Sequence, residues 1–322
     1  TGRDSSLTAA QREFIATLTR RLSQRTPSSR ALAENGPQHM ADPRHVVGFH
    51  RDWKGLTYQI AMQASEGARL TDIDGNDYID VTMSLGVAFL GHGHPAVRQA
   101  VHAQLDRGFE LGPQMPTAPR IAERLCRLTG HERATFTTTG SEAVMAALRC
   151  ARTVTGRHTV VYFTGDYHGT FDEVLGRAHV TGDQLRTRPG VPGAARHGVD
   201  DVIVLDYGTQ ESLSILREHA DRIAAVLVEP VQSRYPDRQP EAFVKEVRRI
   251  TAQSGTALIL DEMITGFRCA PGGINRRWDI GADMCTYGKI LGGGMPIGAL
   301  AGSARWLDAI DGGRWRFDDD SI

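Results

Sequence analysis

An α/β fold, a mostly parallel sheet with helices on both faces, is what this sequence predicts. Three observations lead there. From about Gly91 onward short apolar segments alternate regularly with amphipathic segments of helical length. At least one of the short segments, Ala257-Leu258-Ile259-Leu260, is apolar throughout, as a strand covered on both faces must be. The breaks fall on helix-stop signals such as Gly108 and Gly130.

At the start of the chain Thr8-x-x-Gln11 resembles a capping box, and Phe14, Ile15, Leu18 and Leu22 then recur at helical spacing. Residues 26–44 hold three prolines and no periodicity, and read as a linker. Asp74-Gly75-Asn76 sits between two β-prone segments, 69–73 and 77–81, as a hairpin turn would. A helix begins after Pro95 and uses Val97, Ala100, Val101 and Leu105, and a second runs through Ile121, Leu125 and Leu128. Strands are then expected at 134–138, 159–163, 201–205, 224–228 and 256–260, with short strand-like pieces at 284–287 and 297–301. Helices are expected at 141–155, 210–222 and 241–253, and a Gly-rich loop between 163 and 201. There is no internal repeat or heptad. The domain reading is a linker-like leader with a helix (1–45), the N-terminal part of a smaller α+β domain (46–90), a large domain (91–305) and the start of a C-terminal segment (306–322). The last nine residues are charged and form no element, so the fold is expected to continue past residue 322.

Composition narrows the function classes. Among 322 residues, 37 Lys and Arg nearly cancel 38 Asp and Glu, leaving a formal charge of -1, so nothing attracts a nucleic acid. No run of about 18 apolar residues predicts a membrane span. The first 30 residues are polar, without a signal-peptide core. Four cysteines (Cys126, Cys150, Cys269, Cys285) without a C-x-x-C pair read as reduced thiols in a cytoplasm, with no structural metal. Only three of the 37 cations are lysines, Lys54, Lys245 and Lys289, so chemistry that needs a primary amine has three candidates.

In an open parallel sheet the ligand sits outside the carboxyl ends of the strands, so the residues after each strand are a site search in themselves. Gly140-Ser141 opens a helix after a strand, where free N–H groups and a hydroxyl suit a phosphate, or where Ser simply caps the helix. Asp166-Tyr167-His168-Gly169 offers rings that stack on a flat ligand or pack as core aromatics at a turn. Glu229-Pro230-Val231-Gln232 brings a carboxylate, a general base or an orienting group, and an amide. Asp261 closes an apolar run and needs a partner, either an Arg, a helix cap or a protonated ring nitrogen. Lys289 lies between Gly288 and a Gly-rich loop in weakly charged surroundings, where desolvation frees its amine for carbonyl attack; the alternative is a solvent-facing lysine. Gly91-His92-Gly93-His94 looks like a metal tract but lacks a third ligand and reads as a turn before a Pro-started helix. A phosphate site, an acid for a pyridinium, a stacking ring and a rare lysine together describe pyridoxal 5′-phosphate (PLP) chemistry.

The motifs Asp72-Ile73-Asp74-Gly75-Asn76-Asp77-Tyr78-Ile79-Asp80, Gly140-Ser141-Glu142-Ala143, Tyr167-His168-Gly169, Glu229-Pro230-Val231-Gln232, Asp261-Glu262-Met263-Ile264-Thr265-Gly266-Phe267-Arg268 and Tyr287-Gly288-Lys289-Ile290-Leu291-Gly292-Gly293-Gly294 resemble the class III (fold type I) PLP-dependent aminotransferases, in particular the glutamate-1-semialdehyde aminomutase-like branch. The resemblance covers roughly residues 67–302. It implies a fold type I transferase, a homodimer, and a reaction between an amino donor and a keto acceptor. It implies that Lys289 carries the Schiff base to PLP and that Asp261 binds the pyridine nitrogen. Gly140 and Ser141 would hold the phosphate, Tyr167 would stack on the ring with His168 beside it, Gln232 would approach the ring hydroxyl, and Glu229 would be a site carboxylate. A narrower likeness, carried by residues 23–48, Leu111-Gly112-Pro113-Gln114 and 142–152, is to aminotransferase domains of hybrid polyketide/nonribosomal-peptide synthases of the mycosubtilin type. It implies a β-ketoacyl thioester on a carrier protein as acceptor. The alternatives are a free-standing aminomutase-like enzyme and an inactive docking module of a megasynthase. The family's C-terminal segment, which completes the small domain and supplies a partner-subunit hydroxyl to the phosphate, is expected to lie outside this chain.

Overall fold

The computed structural model describes residues 7–35, 39–40, 51–108, 115–181 and 184–311. The expectations for residues 111–114 and 314–322 lie outside them, as do residues 41–48 of the leader. Two compact units result. One takes the residues up to Met83 with Leu90–Asp106, the other Ser84–Phe89 and the residues from Arg107 onward.

In the first unit α1 (Ala9–Arg25) opens on the predicted capping box: Gln11 N donates to Thr8 Oγ1, and Thr8 N donates to Gln11 Oε1. The segment read as a linker is instead helical over α2 (Pro27–Asn35). Pro27 stands at its first position, where a missing N–H costs nothing. The free N–H groups of Ser28 and Ser29 donate to the Asp74 carboxylate. That cap lies 46 positions away, so no local pattern reveals it. Strands β1 (Met62–Glu66), β2 (Arg69–Asp72) and β3 (Asp77–Ile79) form an antiparallel sheet. The predicted turn joins the last two, with Gly75 at φ 81° and Asp72 accepting from Asp74 N, Asn76 N and Tyr78 Oη. Nothing in the sequence announces β1, because every residue of it is exposed and hydrophobic alternation has no face to mark. An irregular turn, α3 (Met83–Gly86), comes next. His92 Nε2 meets Asp80 Oδ2 at 2.7 Å, and His94 sits at the N-terminal cap of α4 (Pro95–Leu105).

The second unit runs α5 (Thr117–Thr129), β4 (Arg133–Thr137), α6 (Gly140–Thr155), β5 (Thr159–Phe163), the hairpin β6 (Gly176–Thr181) and β7 (Gln184–Pro189), and β8 (Val202–Leu205). It continues α7 (Gln210–Glu218), β9 (Ile223–Val228), α8 (Glu241–Ser254), β10 (Ala257–Asp261), α9 (Gly273–Arg277), β11 (Met284–Tyr287), β12 (Gly298–Gly302) and α10 (Ala304–Leu307). The β6–β7 hairpin occupies what the sequence presents as a Gly-rich loop. Seven strands make one sheet in the order β4-β12-β11-β10-β9-β5-β8. All run parallel except β12, which is antiparallel to both β11 and β4.

Period-two alternation splits the core between the two faces. Leu258 and Leu260 of β10 pack with Leu125 of α5, Leu213 of α7, and Phe243 and Val247 of α8. Ala257 and Ile259 point the other way, into a cluster with Val144 and Leu148 of α6 and Trp306 of α10. The predicted helices-on-both-faces architecture is therefore the observed one. Where α6 ends, the Arg157 guanidinium donates to the carbonyls of Ala220, Ile223 and Ser254 and to Thr256 Oγ1. It ties the turns before β5, β9 and β10 together at the amino edge of the sheet. Among the described residues, no helix is long and apolar enough to cross a membrane.

Candidate active site

Because β4, β5, β9, β10 and β11 run parallel, the residues just beyond them reach one edge of the sheet. There a cavity is lined by Gly140, Ser141, Tyr167, His168, Glu229, Asp261 and Lys289, that is, by every predicted site residue except Gln232. Val144, Met263, Ile264 and Ile297 add apolar walls to which the sequence alone assigns no role, although Met263 and Ile264 lie within the Asp261–Arg268 motif.

One end of the cavity is the start of α6. Its cap is Thr139, not Ser141: Thr139 Oγ1 accepts from Glu142 N while Glu142 Oε2 accepts from Thr139 N. This capping box leaves the Ser141 hydroxyl out of the cap, and the N–H groups of Gly140 and Ser141 have no carbonyl to meet within the helix. Unsatisfied donors at the positive end of a 16-residue helix favour an anion. Gly169 closes the same end at φ 119°, and a Cβ there would overlap the Ser141 side chain. Gly169→Ala is accordingly expected to weaken binding of a phosphate-bearing ligand about tenfold or more, with little change for its dephosphorylated form. Titrating the chain with PLP and with pyridoxal checks this.

The floor is charged and buried. Asp261, at the end of β10, accepts from Met263 N and Thr286 Oγ1 on one oxygen and from His168 Nδ1, at 2.8 Å, on the other. His168 Nε2 lies 3.2 Å from Asp166 Oδ2. Burial alone would lower the imidazole pKa, but the Asp166 and Asp261 carboxylates at its two nitrogens raise it to about 10. His168 is therefore no stacking ring; it is wedged between two acids, edge-on to Tyr162. Tyr167, half-exposed on the cavity wall, keeps a ring free to cover a flat ligand. Gln232 is drawn away from the cavity: its Nε2 donates to Thr164 O at 2.9 Å and to Asp166 Oδ1 at 2.6 Å. Glu229 accepts from Ser233 N and Tyr167 N. Burial, then repulsion from Asp166 and Asp261, pushes its pKa up to about 7. Glu262, next to Asp261, faces elsewhere and accepts from Thr265 Oγ1 and from Ile274 N and Asn275 N at the start of α9.

Glu229 and His168 both bind protons more tightly in the folded chain than free groups do, at about 7 against 4.5 and about 10 against 6.5. Such groups stabilise below the free pKa and lose that contribution as pH rises through the folded one. The ligand-free chain is expected to lose stability from about pH 7 to pH 10 as His168 gives up its proton; below pH 7 the loss at Glu229 is opposed by His131, whose burial lowers its pKa to about 4. Glu229→Gln should remove the Glu229 loss and leave stability rising toward pH 7, as urea midpoints taken along the pH series would record.

Lys289 opens the loop after β11 with φ 43°, a left-handed conformation costly for a side-chain-bearing residue. Burial lowers its pKa, the nearby Asp261 and Glu229 opposing that effect and Arg268 adding to it. Lys54 is exposed in the other unit, and Lys245 pairs with Glu241 at 2.6 Å on the surface of α8. Among the described residues no group of three or more His, Cys, Asp or Glu side chains is set to hold a metal. The free donors of α6, the carboxylate of Asp261 and the half-buried amine of Lys289 do suit PLP: an anion end, a partner for a protonated ring nitrogen, and an amine for its aldehyde.

Comparison with known proteins agrees with this chemistry. The family Aminotransferase class-III matches residues 52–315. Glutamate-1-semialdehyde 2,1-aminomutase of Nitratidesulfovibrio vulgaris is 40% identical over 249 residues, which are 76% of this chain and 58% of that protein. The aminomutase of the same name from Methanothermobacter thermautotrophicus is also 40% identical, over 76% of this chain and 58% of its own length. The chain thus spans less than two thirds of these curated relatives. Among solved structures, a transaminase with PLP bound superposes with a TM-score of 0.81 at 30% identity, covering 92% of this chain and 70% of that one. A glutamate-1-semialdehyde aminomutase from Pseudomonas aeruginosa PAO1 gives 0.81 at 26% identity, over 98% and 69%.

Proposed function

Because the chain belongs to the class-III aminotransferase family, we propose that the protein it represents moves an amino group with the help of PLP, and that its substrate is a small amino aldehyde or ketone. The observation that carries the reading is the meeting of Lys289, Asp261 and the start of α6 around one cavity. Relatives named glutamate-1-semialdehyde 2,1-aminomutase support the small substrate. Once bound, the cofactor supplies an aldehyde carbon for amines and a ring that withdraws electrons. The N–H groups of Gly140 and Ser141 and the Ser141 hydroxyl hold the phosphate. Asp261 keeps the ring nitrogen protonated, and Tyr167 covers a ring face. Lys289 Nζ, eased toward its neutral form by burial, would be the amine that holds the cofactor's aldehyde and, when displaced by a substrate amine, the group placed to move a proton beside it. Glu229, braced by Ser233 and Tyr167, orients the wall on which Tyr167 stands. A homodimer is the proposed assembly, as the resemblance to the family implies.

A second reading draws on the likeness of residues 23–48, 111–114 and 142–152 to synthase-embedded aminotransferase domains and makes the acceptor a β-ketoacyl thioester on a carrier protein. Two measurements test these readings. Incubation with PLP followed by borohydride is expected to leave a pyridoxyl mass on Lys289; a label on Lys54 or Lys245 would overturn the assignment. Rates with free amino aldehydes and with carrier-loaded β-keto thioesters then decide the substrate, and a preference for the carrier-loaded form refutes the small-substrate reading. A chain that binds the carrier protein yet shows no half-reaction with any amino donor would be a docking module.

A further inference from the structure

We propose that Asp166 is a positioning residue: acting through His168, which bridges the two carboxylates, it holds Asp261 aimed at the cofactor's ring nitrogen. The inference rests on the proposed PLP chemistry and deepens it. His168 is buried, and each of its ring nitrogens faces a carboxylate oxygen, Asp261 at 2.8 Å and Asp166 at 3.2 Å. An ionised carboxylate only accepts, so a bare ring nitrogen would set lone pair against lone pair at one end or the other. The imidazolium resolves this, and both N–H groups then donate. Without Asp166, the far ring nitrogen would lose its partner, and the imidazole would hold Asp261 with nothing fixing the plane or tilt of its ring.

Asp166 is itself anchored for this task. Its Oδ1 accepts from Gln232 Nε2 at 2.6 Å, and its Oδ2 accepts from Glu229 N at 3.3 Å as well as from His168. The loops after β5 and β9 therefore fix Asp166. Its bond to His168 carries that register to the end of β10 (positions 166 and 168 to 261). Gln232 so finds its place two bonds behind the cavity rather than on its wall.

The full chain, stripped of cofactor, is titrated with PLP by absorption, and the product is reduced and mapped by mass. Asp166→Asn is expected to keep the Lys289 adduct but to bind PLP about tenfold more weakly, the scale of coupling inside one hydrogen-bonded network. It should also shift the pH midpoint of the visible band. Asp261→Asn should do the same to a larger extent, and the double variant should be no worse than Asp261→Asn alone. Nitrogen NMR of the cofactor-free chain should show His168 protonated on both nitrogens at pH 8, and singly protonated in Asp166→Asn. With the Lys289 adduct present, an unchanged affinity and band in Asp166→Asn, or losses that add in full with those of Asp261→Asn, overturn this inference alone. Absence of the Lys289 adduct in the unmodified chain overturns the functional reading and this inference with it.

Discussion

Lys289→Ala is expected to abolish the borohydride-trapped PLP adduct and to reduce amino transfer by at least about 10²–10⁴-fold, the contribution of a single positioned proton-transfer group. The true loss should exceed that range, because the same side chain also anchors the cofactor. Lys289→Arg should be as inactive as Lys289→Ala, since a guanidinium keeps the charge but offers no neutral amine at working pH. The backbone adds a second signature. Position 289 sits at φ 43°, where a Cβ is strained by about 1–2 kcal/mol. Lys289→Gly should therefore be as inactive as Lys289→Ala yet unfold at higher urea. Equal urea midpoints for the two variants would show that the left-handed conformation is not held in solution. Substantial turnover by any of the three would remove the lysine from the chemistry.

Arg157→Ala should cost about 3 kcal/mol of stability without touching the cavity. Its guanidinium makes four hydrogen bonds, three of them to backbone carbonyls at the amino edge of the sheet. Bonds to a charged donor are each worth roughly 1.5–3 kcal/mol, and water replaces part of that loss at a half-buried position. Urea unfolding of the ligand-free chain is the measurement, with a lower midpoint and an unchanged slope as the expected result. Arg157→Lys should recover little, because a single ammonium cannot span acceptors on three separate turns. Cofactor attachment at Lys289 should survive in both variants at low denaturant, since Arg157 stands at the opposite edge of the strands from the cavity. A midpoint shift under 1 kcal/mol would mean that those carbonyls find other donors.

The parts of the architecture that are legible in the sequence are those in which local pattern and tertiary role coincide. Segments 159–163 and 284–287 are recovered residue for residue, because continuous apolar runs between turn signals leave no competing assignment. α2 and β1 are not legible: a distant carboxylate caps the one, and the other buries no face. The β6–β7 hairpin hides for a related reason, lying in a stretch with glycines at both ends and no clear alternation. At the cavity, inspecting the residues just past each strand finds Lys289, Asp261, Glu229, Tyr167 and the Gly140-Ser141 pair. It does not find the direction each side chain takes. His168 and Gln232 are expected at the cofactor; His168 lines the cavity but bridges Asp261 and Asp166, while Gln232 turns to Asp166, a residue to which the sequence alone attaches no role. Adjacent acids show the same limit. Asp261 faces the cavity while Glu262 secures α9, and only alternation about the strand end separates their tasks.

The antiparallel run of β12 has a consequence for synthesis on the ribosome. β4 is an edge strand whose one neighbour in the sheet is β12, so the strand that leads into the anion-binding end of α6 cannot dock until residues 298–302 have emerged. The nascent polypeptide can pair β5, β8, β9, β10 and β11 first, in that subset of the order, while β4 waits for a partner made more than a hundred residues later. Coenzyme retention is thereby tied to the emergence of residues 298–302, and a chain cut just before them is expected to hold its coenzyme poorly.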